Sequence, residues 1–158
     1  MTLDDHDRAG YAIALEQARL GASEGGVPIG SSILENGVLL GAGRNRRVQN
    51  GDPTAHGEID ALRNAGRRAS YAGTTLYSTL APCAMCSGSI ILFGIRRVVV
   101  GEEKNFPGEL ELLRSRGVEV VVIDDPKATA LMEDFVAEHP GLWNEDIGVD
   151  EAPPAPAR

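Results

Sequence analysis

Along the first stretch of the chain apolar positions recur at helical spacing: between residues 5 and 20, Ala9, Ile13, Ala14, Leu15 and Ala18 fall mostly on one face. Gly21 is the expected C-cap. After Gly25-Gly26-Val27-Pro28, two apolar runs at 29–34 and 38–44 flank Glu35-Asn36-Gly37, and the Asn-Gly pair predicts a tight antiparallel hairpin. Pro53-Thr54 opens a second helical segment through residue 67, and the β-branched, apolar run at 74–80 predicts a strand. Pro82 begins a further unit, a helix over about 83–93 and then a strand at 97–100, since proline suits a first helical turn. The order repeats with a helix at 108–116, Gly117 as its C-cap, and a continuous apolar run at 118–123 that reads as a strand buried on both faces. A last helix is expected over about 126–138.

Strands alternating with helices imply a parallel sheet. The expected fold is therefore α/β: a three-layer α/β/α sandwich with a five-stranded mixed sheet, the antiparallel hairpin being followed by a parallel βαβαβ. No internal repeat is evident. A chain of 158 residues suits one hydrophobic core, and a single domain is expected over 1–148. Residues 149–158 carry three prolines and two acids without periodicity, the composition of a disordered tail.

Composition changes this picture little, with 42% apolar and 24% charged residues close to average soluble usage. Charge changes it more: 15 lysines and arginines against 23 acids leave a formal charge of -8, which repels a phosphate backbone. Nucleic acid is therefore not an expected partner, apart from what Arg44, Arg46 and Arg47 could attract. No run is long enough to span a membrane, and Met1-Thr2-Leu3-Asp4-Asp5-His6-Asp7 lacks the basic-then-apolar order of a signal peptide. A cytoplasmic protein is expected.

The two cysteines, separated by two residues, are not a disulfide framework. Together His56-Gly57-Glu58 and Pro82-Cys83-Ala84-Met85-Cys86 supply one imidazole, one carboxylate and two thiolates. Catalytic zinc takes three protein ligands and leaves a fourth position open, and one histidine with two cysteines is such a set. His56, Cys83 and Cys86 are the expected ligands of one Zn2+. Cys83 and Cys86 are three apart in a first helical turn, where they share a face and the unpaired N–H groups favour thiolate. His56 and Glu58 are two apart and would diverge on a regular helix, so that helix start has to be irregular. Zinc lowers the pKa of bound water from ~16 to roughly 7, and Glu58 is the expected proton shuttle between that water, a ring nitrogen and a leaving ammonia. The pattern of a His-x-Glu followed by Pro-Cys-x-x-Cys is a zinc-deaminase signature. A redox dithiol or a structural zinc site are the competing readings. His6 and His139 lack matching partners and read as surface residues.

With motif and strand order in place, the chain resembles the cytidine deaminase superfamily, and more closely the small fungal-type zinc-dependent cytosine deaminases, over roughly residues 4–148. The likeness rests on Glu24-Gly25-Gly26-Val27-Pro28-Ile29-Gly30, Thr54-Ala55-His56-Gly57-Glu58-Ile59, Thr74-Thr75-Leu76-Tyr77, residues 117–125 and Trp143-Asn144-Glu145-Asp146-Ile147-Gly148. The last of these resembles the segment that closes the pyrimidine pocket in that family. The resemblance implies hydrolysis of free cytosine to uracil and ammonia in pyrimidine salvage, by a homodimer. It also implies that Asn45 and Asp146 hydrogen-bond the base, that the Gly57 backbone meets its carbonyl oxygen, and that Phe106, Trp143 and Ile147 pack on the ring beside Ile29. Read without it, Phe106 and Trp143 are core aromatics, Asp146 a solvated acid and Asn45 a turn residue. Ala81 stands where the fungal-type sequences usually carry serine, and Asn144 where they carry an aromatic. Isocytosine, a triazine or guanine are therefore alternative substrates. A tRNA- or DNA-editing deaminase and a non-catalytic zinc module are the more remote alternatives.

Overall fold

The computed structural model describes residues 3–150, so the expected tail falls, from residue 151 on, outside the described residues. Helix α1 (Asp5–Ser23) starts at a capping box in which Asp4 accepts from the Asp7 N–H and Asp7 accepts from the Asp4 N–H. It runs past Gly21, which is not the C-cap expected: Gly21 is buried inside the helix, and the left-handed glycine that follows the helix is Gly25, at φ 79°. Strands β1 (Gly30–Glu35) and β2 (Val38–Arg44) form the hairpin. Its turn residues Asn36 and Gly37 have φ of 50° and 79°, the positive pair a type I′ turn demands.

The single-turn helix α2 (Arg47–Asn50) follows; at four residues it is too short to leave a period in the sequence. Helix α3 (Gly57–Ala65) begins four residues later than Pro53 suggested, with His56 as its N-cap. Strand β3 (Thr74–Leu80), helix α4 (Ala84–Leu92), strand β4 (Arg97–Glu102), helix α5 (Leu110–Ser115) and strand β5 (Glu119–Val122) complete two crossover units. Residue Arg116 caps α5, and Gly117 turns the chain behind it at φ 81°. Helix α6 (Pro126–Glu138) lies where its pattern placed it, and α7 (Pro140–Asp146), not anticipated as a helix, follows with proline in its first turn.

The strand order is β2-β1-β3-β4-β5, with β1 antiparallel to both neighbours and β3, β4 and β5 parallel. Only β1 therefore runs against the rest. The expected mixed sheet is present, but β5 is an edge strand with Val121 alone buried, not one covered on both faces. Alternate side chains feed two cores. Leu34, Tyr77, Val99 and Val121 pack with Tyr11, Ala14 and Leu15 of α1 and Ala128 of α6. On the other face Ile33, Leu76, Val98 and Val100 meet Ala61 of α3, Ile90 of α4 and Leu113 of α5. A third cluster of Val27, Ile29, Leu80, Met132, Phe135 and Trp143 seals the end of the sheet under α6 and α7. Among the described residues no helix is long and apolar enough to cross a membrane.

Candidate active site

Because β1 alone is reversed, the C-terminal ends of β2, β3 and β4 and the start of β1 meet at one edge of the sheet. Open α/β sheets place their sites at such strand ends. There Ile29, Asn45, His56, Gly57, Glu58, Leu80, Ala81, Cys83, Phe106, Trp143, Asp146 and Ile147 surround one narrow cavity. Every residue expected at the base is in that wall, and Cys86 lies just behind it, buried beside His56. Leu80 was not anticipated. Its signal was its place at the end of a strand, two residues before the metal motif. His6 and His139 are exposed, the latter packed on the Phe135 ring at 5.3 Å.

His56 and Cys83 turn out to be equivalent positions, the N-caps of α3 and α4, both extended (φ -71°, ψ 160° and φ -70°, ψ 178°). The extended N-cap is the irregularity that lets His56 and Glu58 serve one site, since His56 has left the helix while Glu58 is inside its first turn. Cys86 reaches the same point from the first turn of α4. The Sγ atoms of Cys83 and Cys86 are 3.5 and 3.7 Å from Nδ1 of His56, and the three ligand atoms all lie within 4.8 Å of one another. Tetrahedral zinc with ordinary Zn–N and Zn–S bonds separates its nitrogen and sulfur ligands by about 3.6 Å, so the donor set fits one such ion. Two helix N-termini converge on the site, and that of α4 favours thiolate at its cysteines.

The electrostatics divide the thiols. Hydrogen bonding from the Cys86 thiol, helped by His56, pulls Cys83 down to about 4, while that same contact and burial push Cys86 well above the ordinary thiol value. Burial opposes a charge on His56, but Cys83, Asp146 and Glu58 outweigh it and raise the imidazole to about 9. Burial raises Glu58, with the Cys83 thiolate adding to it. Glu58 is 3% exposed, and the Ser78 hydroxyl donates to its Oε1 at 2.6 Å.

Across the cavity, burial raises the Asp146 carboxyl and His56 opposes the shift. Asn45, fully buried, donates through Nδ2 to Oδ1 of Asp146 at 2.6 Å and accepts from the Arg47 N–H at 3.1 Å. The same Asp146 oxygen is 3.6 Å from Nε2 of His56. Asp146 is the last residue of α7, so that short helix brings a carboxylate, Trp143 and Ile147 to the cavity together. Phe106 meets Trp143 edge to face at 5.9 Å. The site thus combines a cation-binding triad, a buried acid beside it, and a flat apolar slot ending in a second carboxylate, a set suited to proton transfer and hydrolysis on a small planar polar ring.

Comparison with known proteins points the same way. The cytidine and deoxycytidylate deaminase zinc-binding region matches residues 4–102. A cytosine deaminase of Candida albicans is 48% identical over 151 residues, spanning 94% of this chain and 99% of that protein. A tRNA-specific adenosine deaminase of Buchnera aphidicola is 40% identical, but over 63% of each chain. Among solved structures, a guanine deaminase from Nitrosomonas europaea superposes with a TM-score of 0.69 at 26% identity, covering 87% of both chains.

Proposed function

The chain belongs to the cytidine and deoxycytidylate deaminase family, a family of zinc-dependent hydrolases, and from that premise we propose that it hydrolyses free cytosine to uracil and ammonia. The observation that carries this reading is the likeness to the Candida cytosine deaminase along nearly the full length of both proteins. That likeness takes in α7, which lies beyond the family region and closes the cavity with Trp143, Asp146 and Ile147. The tRNA-specific relative matches over a shorter span, and the net charge of -8 disfavours a nucleic-acid substrate.

In this reading His56, Cys83 and Cys86 hold zinc, which supplies Lewis acidity to water and to developing negative charge on oxygen. Glu58 takes a proton from the attacking water and gives it to the ring nitrogen of cytosine. It then takes the proton of the newly added hydroxyl and delivers it to the amino group, which leaves as ammonia as the new carbonyl forms. Its burial suits it to hold a proton between those transfers. Asp146, aligned by Asn45, accepts the hydrogens of the exocyclic amine, a contact that selects amino over oxo heterocycles. The Gly57 N–H, at the open start of α3, meets the base carbonyl, while Ile29, Phe106, Trp143 and Ile147 pack on the ring.

A second reading, deamination of guanine, isocytosine or a triazine, draws on the structural likeness to the guanine deaminase and on the small Ala81 in the cavity wall. Ammonia release from cytosine, 5-methylcytosine, isocytosine, cytidine, guanine and amino-triazines separates the two. Fastest turnover of cytosine supports the first; no release from cytosine beside rapid turnover of another base overturns it. The active form is a homodimer: Met85, Leu92 and Phe93 stand 38%, 77% and 47% exposed in and directly after α4, an apolar strip that a second copy would cover. Two free cysteines at a metal site suit the reducing cytoplasm, where released uracil would enter pyrimidine salvage.

A further inference from the structure

On β3 the side chains of Leu76, Ser78 and Leu80 share one face, Leu76 packing with α3 and α4 and Leu80 joining the cluster under α6 and α7, so a serine sits between two buried leucines. Ser78 is 0% exposed. A hydroxyl in such a place needs a partner, and this one has two oxygens in reach, Oε1 of Glu58 at 2.6 Å and the Leu80 carbonyl at 2.9 Å. It owns one hydrogen, and the bond to a carboxylate is the stronger of the two. Ser78 is not in the cavity wall, so it meets Glu58 from the sheet side, where substrate does not reach. Its backbone is pinned in the central strand, opposite Ser31 on β1 and Val100 on β4. Glu58, by contrast, hangs from the first turn of α3 on a long side chain.

We propose that Ser78 is a positioning residue: it holds Oε1 of Glu58 against the sheet and leaves Oε2 as the oxygen that exchanges protons with water and base. The proposal rests on the reading of Glu58 as proton carrier. It goes beyond the metal motif, because nothing in the spacing of His56, Glu58, Cys83 and Cys86 names a residue on β3.

Threonine and valine have the same branched shape and differ by the hydroxyl, so Ser78→Thr and Ser78→Val isolate it. The expected result for Ser78→Val is a fall in kcat of about 100-fold, with KM for cytosine little changed and one zinc per chain retained. Ser78→Thr is expected to recover most of the lost kcat. A kcat for Ser78→Val near that of wild type, or a threonine variant no better than the valine one, overturns the proposal. A readout independent of substrate comes from crystal structures of wild type, Ser78→Ala and Ser78→Thr, in which the Glu58 carboxylate is expected to leave its place with alanine and keep it with threonine. A carboxylate unmoved in Ser78→Ala overturns the proposal whichever base is turned over. Displacement in Ser78→Ala, alongside a wild-type protein inert toward cytosine, supports the proposal and overturns the cytosine reading alone.

Discussion

Glu58 and Asp146 are both buried acids, yet their surroundings give them different work. Glu58 faces the thiol pair and the Ser78 hydroxyl, whereas Asp146 is bound by Asn45 and lies beside the far nitrogen of His56. Replacing Glu58 by Gln keeps its shape and removes proton exchange, so kcat is expected to fall by about 100- to 10,000-fold with zinc content unchanged, measured by ammonia release and metal analysis. Asp146→Asn places donors where the amine hydrogens of cytosine need an acceptor. Its kcat/KM for cytosine is expected to fall by at least roughly 100-fold, again without loss of zinc. Both variants keeping full activity would undo the assignment of roles. His56, Glu58, Cys83 and Cys86 were legible from spacing and chemistry because they occupy two short segments. Asn45 and Asp146 were not, since they are 101 residues apart and only the closed fold makes them neighbours.

At the scale of elements, the site depends on how closely α3 lies on the sheet. A Cβ at Gly41 would sit 2.5 Å from the Ala61 carbonyl oxygen, and one at Gly43 would sit 2.4 Å from the Ala61 nitrogen. Both glycines thus let helix backbone rest on strand backbone, and α3 carries Glu58 at its start. Gly43→Ala is expected to lower stability by about 1–3 kcal/mol, read by denaturant unfolding, and to lower kcat as the α3 start shifts. A second joint ties α1 to the sheet. Burial opposes charge on Asp7, but the Arg97 guanidinium and the Tyr77 hydroxyl outweigh it and hold the carboxyl below its usual range. With the folded pKa depressed, the unfolded chain binds more protons between the two values. The contribution of Asp7 is therefore complete above the unfolded value of about 4 and lost as pH falls through the folded one. Asp7→Asn is expected to lower Tm at pH 7, with the gap to wild type closing below about pH 4. A gap that stays constant across that range would refute the assignment.

For the whole molecule, the group that could hold the metal, His56, Cys83 and Cys86, is drawn from the starts of two helices, so metal held there would couple binding to folding. Ligand that binds only the folded state raises its stability with concentration, so chelation is expected to lower Tm as well as abolish turnover, and added zinc to restore both. A Tm indifferent to chelation would contradict the site. The strip at Met85, Leu92 and Phe93 predicts a dimer mass by light scattering, shifted toward monomer by Leu92→Asp. The sequence alone determined the order of the main elements, the hairpin turn and the metal-binding chemistry, because helical period, turn residues and ligand spacing are local and short-range signals. It misjudged β5, whose run of valines reads the same at an edge as in the middle of a sheet, and it missed α2, too short for any period. Tertiary structure decided the rest. The reversal of β1 gathers the strand ends, the N-cap conformations aim His56 and Cys83 at one point, and α7 folds back over a cavity whose other walls lie far away in the chain. Such contacts follow from the packing of distant surfaces, which no local pattern encodes.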